Sequence, residues 1–289
     1  MLAHMTTTIL LALSTSLLFG VGDFLGGVAT RRDSAPAVTG TSHLLSIVLL
    51  GIAVVFFLPG AHPTQGDLMW GALSGLSGVI GVISLFGALA CGRMSLVAPV
   101  SAALSAALPA LYDLLTGTRL STVTLAGIGL ALVAIVVVSV APDEQIHEPE
   151  HDYRPRRALM LALLSGVGFS GAFIAFSFTA SASGLVPVLV ARVVSIAVAV
   201  TLAIRGGGFP VDRTALVPTL GAGVTDALAN VTMLTAIRLG PLAVASVLGS
   251  FFPVVVVLLA RVFLKERLRP WQSVGVVVAL VAVVLAAMP

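Results

Sequence analysis

Ten apolar runs, each about 20 residues long, fill most of this 289-residue chain and constrain its fold more than any other feature. Charged or Gly/Pro-rich breaks separate them. The runs cover residues 7–29, 36–58, 67–90, 95–115, 121–140, 157–180, 184–204, 214–238, 241–263 and 270–288. Since a helix of this length crosses the hydrocarbon core of a bilayer, we predict an all-α membrane protein with ten transmembrane helices.

The charge content supports a membrane protein over a soluble one. Only 9% of the residues are charged, whereas a soluble domain carries about 25%. The sequence pI of about 9.7 comes with a net charge of only +3, and the basic residues stand in short clusters between the apolar runs. We interpret them as anchors at the membrane surface and predict no nucleic-acid partner. A single cysteine, Cys91, excludes an intrachain disulfide.

The chain divides near its midpoint at one polar stretch, residues 141–157, which reads APDEQIHEPEHDYRPRR. Nearly all other connections between the apolar runs are short. We therefore predict a first repeat of five helices over residues 1–140, a polar linker over 141–157 and a second repeat of five helices over 158–289.

An internal repeat supports this division. A shift of 148 positions aligns the third to fifth runs with the eighth to tenth without a gap. The matching pairs include Ala131–Ala134 with Ala279–Ala282, Gly92 with Gly240, Gly127 with Gly275 and, with small slips, Gly20–Gly22 with Gly166–Gly168 and His43–Ile47 with Arg192–Ile196. Five helices are an odd number, so the second repeat is expected to be inverted in the membrane. Inverted repeats around a central cavity are typical of transporters that work by alternating access.

Three short motifs lie near the ends of the two halves and in the first apolar run. Leu264–Leu268 reads LKERL and is followed by Gly275, and Thr116–Leu120 is a degenerate copy with Thr118 in place of Glu. Phe19–Phe24 reads FGVGDF. These motifs resemble the "LGERL…G" pattern that ends each half, and the W-G-x-x-F motif with Phe in place of Trp, of the ten-helix EamA-type transporters of the drug/metabolite transporter superfamily. The resemblance implies two inverted five-helix repeats around a central cavity and export of amino acids, other metabolites or drugs.

Acidic and amide side chains inside the apolar runs are candidates for the solute pathway, because polar groups are costly in hydrocarbon and face the bundle interior. A carboxylate at Asp23 can bind a substrate cation or take up a proton, or it can pair with an intramembrane cation. Asp226 and Asn230 lie one helical turn apart on one face. A functional role and a structural network are both open for this pair.

The basic candidates are Arg192 and His43, which occupy equivalent positions of the two repeats. Arg192 could hold a substrate carboxylate through two hydrogen bonds, or form a permanent ion pair with Asp23 or Asp226. His43 could titrate near neutral pH or serve as a hydrogen-bonding group between helices. Their equivalence predicts that both segments face one cavity.

From these features we predict a secondary transporter that exports a small amino-acid-like metabolite or a drug, with proton coupling left open. A passive channel, a structural membrane subunit and an intramembrane enzyme are the alternatives. A Gly-x-Ser-x-Gly motif is missing from the sequence, and so is a Walker-type nucleotide loop. We predict no enzymatic activity, no cofactor and no metal. The expected location is the plasma membrane of a bacterium, and a single chain suffices, with a homodimer as the alternative.

The positive-inside rule gives the expected orientation. On one side of the predicted bundle lie Arg31, Arg32, Arg93, Arg154, Arg156, Arg157, Arg205, Arg213, Arg261, Lys265, Arg267 and Arg269, and on the other only Arg119 and Arg238. This bias places the first side in the cytoplasm and both termini outside. The family resemblance implies the opposite, with both termini inside.

Overall fold

The computed structural model describes residues 2–57, 60–117, 154–206, 208, 213–240 and 242–265, with scattered positions between 122 and 285. Its helices are α1 (Leu2–Thr30), α2 (Ala35–Phe57), α3 (Gln65–Cys91), α4 (Met94–Leu115), α5 (Pro155–Ser177), α6 (Val186–Gly206), α7 (Arg213–Leu239), α8 (Leu242–Gly249) and α9 (Phe252–Phe263). A short 3-10 turn, Ser181–Ser183, precedes α6. The described residues contain no strand, and the predicted all-α class is confirmed.

Six of these helices, α1, α2, α3, α5, α6 and α7, are long and apolar enough to cross a membrane. They coincide with predicted runs to within a few residues. The predicted fifth and tenth helices, 121–140 and 270–288, lie outside the described residues apart from scattered helical positions, and so do residues 141–153 of the linker. The ten-helix count and the domain boundaries therefore stay predictions.

The predicted ninth run, 241–263, is not one helix. It is divided into α8 and α9 by a turn at Ser250 and Phe251. Pro253 explains the break, because proline has no amide proton and its ring collides with the carbonyl four residues earlier, here that of Gly249. The predicted ninth segment therefore consists of two short helices instead of one.

The bundle is apolar outside and small or polar inside. Exposed large hydrophobic side chains include Leu10, Leu17, Val48, Val55, Met160, Val193, Val217 and Val262. The buried positions hold many alanines and hydroxyl residues, among them Thr15, Ser42, Ser46, Ser74, Ser101, Ser165 and Ser195. This distribution suits helices that face lipid on the outside and approach each other closely within.

Two antiparallel helix pairs form the frame of the bundle, α1 with α7 and α3 with α5. In the first pair the hydroxyls of Thr15 and Thr232 lie 2.7 Å apart, and Gly22 lies against Thr225. In the second pair Ser77 Oγ donates to the carbonyl of Gly168 at 2.8 Å. Gly22 and Gly168, like Ser77 and Thr225, are positions that the internal repeat aligns.

Helices α3 and α6 pack in parallel. Gly71 lies against the backbone of Pro187, and Gly75 lies against that of Ala191 one turn further along both helices. A methyl group at either glycine would overlap the neighbouring main chain. The absence of a side chain at these two glycines therefore sets the distance between α3 and α6.

The antiparallel and parallel packing of these pairs places the ends of the helices on two opposite sides of the bundle. One side, called here the basic end, carries the α1–α2 connection, the carboxyl ends of α3, α6 and α9 and the amino ends of α4, α5 and α7. Its described basic residues are Arg31, Arg32, Arg93, Arg154, Arg156, Arg157, Arg205, Arg213, Arg261 and Lys265. The opposite side, the Arg238 end, carries the described residue Arg238. The predicted separation of charges holds for the described residues.

Candidate functional site

A buried ion pair links α6 and α7 at mid-helix. Arg192 Nη2 lies 2.9 Å from Asp226 Oδ1, and the two side chains are 9% and 16% exposed. The same carboxylate oxygen accepts a hydrogen bond from Asn230 Nδ2 at 3.0 Å, and Oδ2 accepts one from Ser46 Oγ of α2 at 2.8 Å. Asp226 thus receives three donors from three helices, which compensates for its removal from water.

His43 of α2 extends this network. Arg192 Nη1 donates to His43 Nε2 at 3.2 Å, and since a guanidinium has only donors, Nε2 carries a lone pair. The neutral ring then has its proton on Nδ1, which lies 2.9 Å from Ser195 Oγ. Ser195 Oγ in turn donates to the carbonyl of Arg192 at 3.0 Å. Every hydrogen bond in this sequence has a donor and an acceptor only while His43 is neutral.

Arg192 and His43 are positions that the sequence repeat aligns, as are Ser195 and Ser46. In the structure the side chains of Arg192 and His43 touch, and their contact joins α2 with α6. Arg192 Nε, also buried there, has no hydrogen-bond partner within the described part of the chain.

Asp23 of α1 lies next to this network and differs from Asp226. Its side chain is buried, at 8% exposed, and no residue that the structure describes donates a hydrogen bond to it. It lines a cavity together with His43, Asp226 and the aromatic rings of Phe19, Phe86 and Phe169. Two carboxylates therefore share one central region, and among the described residues only Asp226 has a cationic partner.

Two small cavities occupy the centre. The first, lined by Asp23, has a volume of about 30 Å³, and the second, lined by Arg192, Asp226 and Asn230, about 40 Å³. The second is surrounded by Phe19, Phe169, Phe173 and Phe176. Each has room for one or two water molecules, whereas pockets for drug-sized ligands measure roughly 300–1,000 Å³. A drug-sized ligand would fit only if the helices separated.

All five residues singled out in the sequence thus lie at this centre. Four of them, His43, Arg192, Asp226 and Asn230, belong to one hydrogen-bonded network, and Asp23 lines the adjoining cavity. Of the two possibilities for Arg192, the structure shows an ion pair with Asp226. Their roles in moving a solute are not tested by this geometry and stay predictions.

Sequence reasoning missed two kinds of residue at the centre. Ser46 and Ser195 lie within the aligned segments His43–Ile47 and Arg192–Ile196, so the repeat itself contained the signal. The phenylalanines gave no such signal, because aromatic residues in an apolar run are expected on any helix face.

A second polar cluster closes the Arg238 end. The connection between α5 and α6, residues 178–185 and called here loop 178–185, lies between Arg238 of α7 and Asp67 of α3. Arg238 donates to the carbonyl of Gly184 and, at 3.0 Å each, to the carbonyl of Ala180 and the hydroxyl of Ser183. Asp67 Oδ1 accepts from the amide of Ala180 at 2.6 Å. Two charged side chains thereby hold the loop from two helices.

Two further local contacts stabilise the Arg238 end. Thr64 and Asp67 form a capping box at the start of α3, which fixes the carboxylate that binds the loop. The rings of Trp70 and Phe178 stack with centroids 4.3 Å apart. We refer to Asp67, Arg238 and loop 178–185 together as the clasp.

Comparisons with known proteins agree with this architecture. Residues 156–288 match the EamA-like transporter family, which is part of the drug/metabolite transporter superfamily. A solved structure described only as "Crystal structure of protein" is similar with a TM-score of 0.69 and 17% identity, over 97% of this chain and 96% of that one. At this identity the likeness concerns the fold alone. No curated protein matches the chain.

Proposed function

Because residues 156–288 match the EamA-like transporter family, we propose that this chain is a secondary transporter that exports a small metabolite or drug by alternating access. This match and the apolar helices support a membrane transporter of the drug/metabolite type. The observation that carries the finer proposal is the contact between Arg192 and His43 at the centre. It joins equivalent helices of the two repeats where a shared solute site would lie.

Reciprocal packing supports two inverted repeats. The α1–α7 and α3–α5 pairs exchange when each helix is replaced by its counterpart in the other repeat. Gly20 approaches Phe252 and Val255 of α9, and the aligned Gly166 approaches Ser101 and Leu104 of α4. We propose that the two repeats rock against each other about the Arg192–His43 contact, so that the central cavities open to one side at a time.

We further propose that the protein lies in the plasma membrane and that a proton gradient drives the export. A buried carboxylate without a described donor, Asp23, is the group that would exchange a proton with the solution on either side. We place the basic end in the cytoplasm, following the distribution of Lys and Arg.

The test is transport by purified protein in proteoliposomes. Metabolite and drug pools are loaded inside, and efflux and counterflow are measured with and without a pH gradient. We expect saturable counterflow of at least one small solute, and its loss in Asp226→Asn and Asp23→Asn while both variants remain folded. Flux that is linear with concentration and lacks counterflow would instead show a passive pore.

A further inference from the structure

A cavity at the basic end is separate from the two central ones. Its volume is about 450 Å³, which is within the range of small-molecule binding sites. Residues 30–34 line one side of it, and Gly206 and Gly208 line the other. The spans of α1 and α6 end at Thr30 and Gly206, and the span of α2 begins at Ala35. The cavity therefore lies where the spanning helices end, at the depth of the lipid headgroups.

The side chains around this cavity carry a net positive charge. Arg31 and Arg32 contribute two guanidinium groups, and Asp33 offsets one of them. Asp33 Oδ1 accepts a hydrogen bond from the amide of Ser34 at 2.7 Å, so part of its charge is directed to the backbone. Arg32 is exposed, and no residue that the structure describes accepts a hydrogen bond from its side chain. Guanidinium groups bind phosphate oxygens through paired hydrogen bonds, so a phosphate group suits this charge.

Two glycines form the α6 side of the cavity. A methyl group at Gly206 or at Gly208 would stand in open space. Gly208 has a φ of +112°, a backbone conformation that favours glycine. The two glycines therefore leave room for a ligand between α6 and the arginines of the α1–α2 connection.

Apolar side chains lie next to the cavity on α6. Leu202 and Ile204, in the last turns of this helix, are both exposed. In a membrane such side chains contact the acyl chains of lipids. A ligand that joins a phosphate to an apolar body would use both the arginines and this apolar surface, whereas free phosphate would use the arginines alone.

We propose that this cavity binds the phosphate group of an anionic phospholipid, whose acyl chains lie along the exposed side chains of α6. Soluble inorganic phosphate is the other source of the same chemical group. Basic side chains beside spanning helices attract acidic headgroups, and each one contributes about 5-fold in affinity. The proposal goes beyond the transport function and does not depend on which solute the protein carries.

The experiment is a lipid titration of the purified full-length protein in detergent, followed by native mass spectrometry. The probes are palmitoyl-oleoyl-phosphatidylglycerol and the zwitterionic phosphatidylcholine with the same acyl chains. We expect the first phosphatidylglycerol to bind at least about 5-fold more tightly than phosphatidylcholine. Arg32→Gln should weaken its binding by about 5-fold, and Arg31→Gln together with Arg32→Gln by about 25-fold. Arg157→Gln, which removes an exposed arginine at the amino end of α5, is the matched control and should bind like the wild type.

A further variant tests the cavity independently of the arginines. Gly206→Leu keeps every charge and places a side chain in the open space, so it should reduce phosphatidylglycerol binding to the level of phosphatidylcholine. Undiminished binding by this variant or by the folded double arginine variant would overturn the proposal. So would an equal loss in Arg157→Gln, because it would show attraction to the surface charge as a whole.

The wild-type protein alone also decides the question if a variant does not fold. Equal affinity for the two lipids would overturn the proposal. If inorganic phosphate at the same concentration abolishes phosphatidylglycerol binding, the cavity takes soluble phosphate and the lipid is the wrong source. Binding that persists in inorganic phosphate supports the lipid. None of these measurements involves transport, so their outcome is separate from that of the proposed function.

Discussion

At the scale of single residues, Arg192 and Asp226 depend on each other. Both side chains are largely buried, and each charge is neutralised by the other. We expect Arg192→Ala and Asp226→Ala each to lower the free energy of unfolding by about 3 kcal/mol, since either change leaves one buried charge unpaired. The double variant should lose clearly less than the sum of the two single losses. Thermal or denaturant unfolding of the purified variants gives this double-mutant cycle.

Arg213→Ala is the control for the ion pair. Arg213 is an exposed arginine at the start of α7, so its removal should change stability by no more than about 0.5 kcal/mol. Strictly additive losses in the Arg192 and Asp226 variants would contradict a direct energetic coupling between the two side chains.

The charged residues at the centre of the bundle can be predicted from the sequence. Asp23, Arg192 and Asp226 were identified because a charge within an apolar run must face the bundle interior. Which carboxylate pairs with Arg192 was open, since it depends on how far α6 and α7 are displaced along each other. Ser46 was missed for a related reason: a serine in a helix often bonds its own backbone, and only the packing of α2 on α7 directs it to Asp226.

At the scale of elements, the close packing of α3 against α6 gives a testable prediction. We expect Gly75→Ala to destabilise the protein by about 1–3 kcal/mol, because the new methyl group would overlap the Ala191 backbone of α6. Gly78→Ala, three residues further along the same helix, meets only the Ala172 methyl at 3.6 Å. It should be neutral or stabilise by up to about 1 kcal/mol through helix propensity. Unfolding curves of the two variants, measured side by side, test this difference in stability.

The clasp is a second feature at this scale. The sequence repeat aligns Ala215 with Asp67 and Ala90 with Arg238, so the aligned positions at the basic end do not carry this charged pair. We expect Arg238→Gln to loosen loop 178–185, because several hydrogen bonds from one guanidinium are lost. In a Cys91→Ser background, a cysteine at the buried position Leu185 should react with maleimide about 10- to 100-fold faster in this variant.

Arg205→Gln is the matched control for the clasp, since Arg205 is an exposed arginine at the basic end. It should leave the labelling rate at position 185 unchanged. An equal rate in Arg238→Gln and in the unchanged protein would mean that the clasp does not keep this end closed.

The bounds of the helices were predicted well where hydropathy determines them and less well where a single residue determines where a helix ends. The apolar runs gave α1 to α7 to within a few residues, because lipid-facing helices require long apolar stretches. The division between α8 and α9 follows from Pro253, but α4 contains Pro99 and Pro109 and stays one helix. Whether a proline ends a helix depends on neighbours that can satisfy the freed carbonyls, which the sequence does not specify.

At the scale of the whole molecule, the proposed inverted repeat and the clasp have opposite effects on the two ends. An inverted repeat would make the ends equivalent, so that opening toward either side would have similar packing energy. The clasp adds contacts at the Arg238 end that have no counterpart among the described residues of the basic end, which would bias the equilibrium toward closure at the Arg238 end. A transporter needs both states, so the bias must be small enough for substrate binding to overcome it.

The unequal distribution of charge between the ends predicts how the molecule sits in its membrane. Ten described basic residues lie at the basic end, so this end should face the cytoplasm and the connection at residues 60–64 should face the outside. In Cys91→Ser protein, we expect His62→Cys to react with a membrane-impermeant maleimide in intact cells and Ser34→Cys to react only in inside-out vesicles. Both positions are exposed, so accessibility within the protein does not bias the comparison. A reporter fused to the carboxyl terminus should agree by showing that terminus outside. The reverse labelling pattern would place both termini in the cytoplasm, as the family resemblance implies, and would mean that the local charges do not determine the orientation.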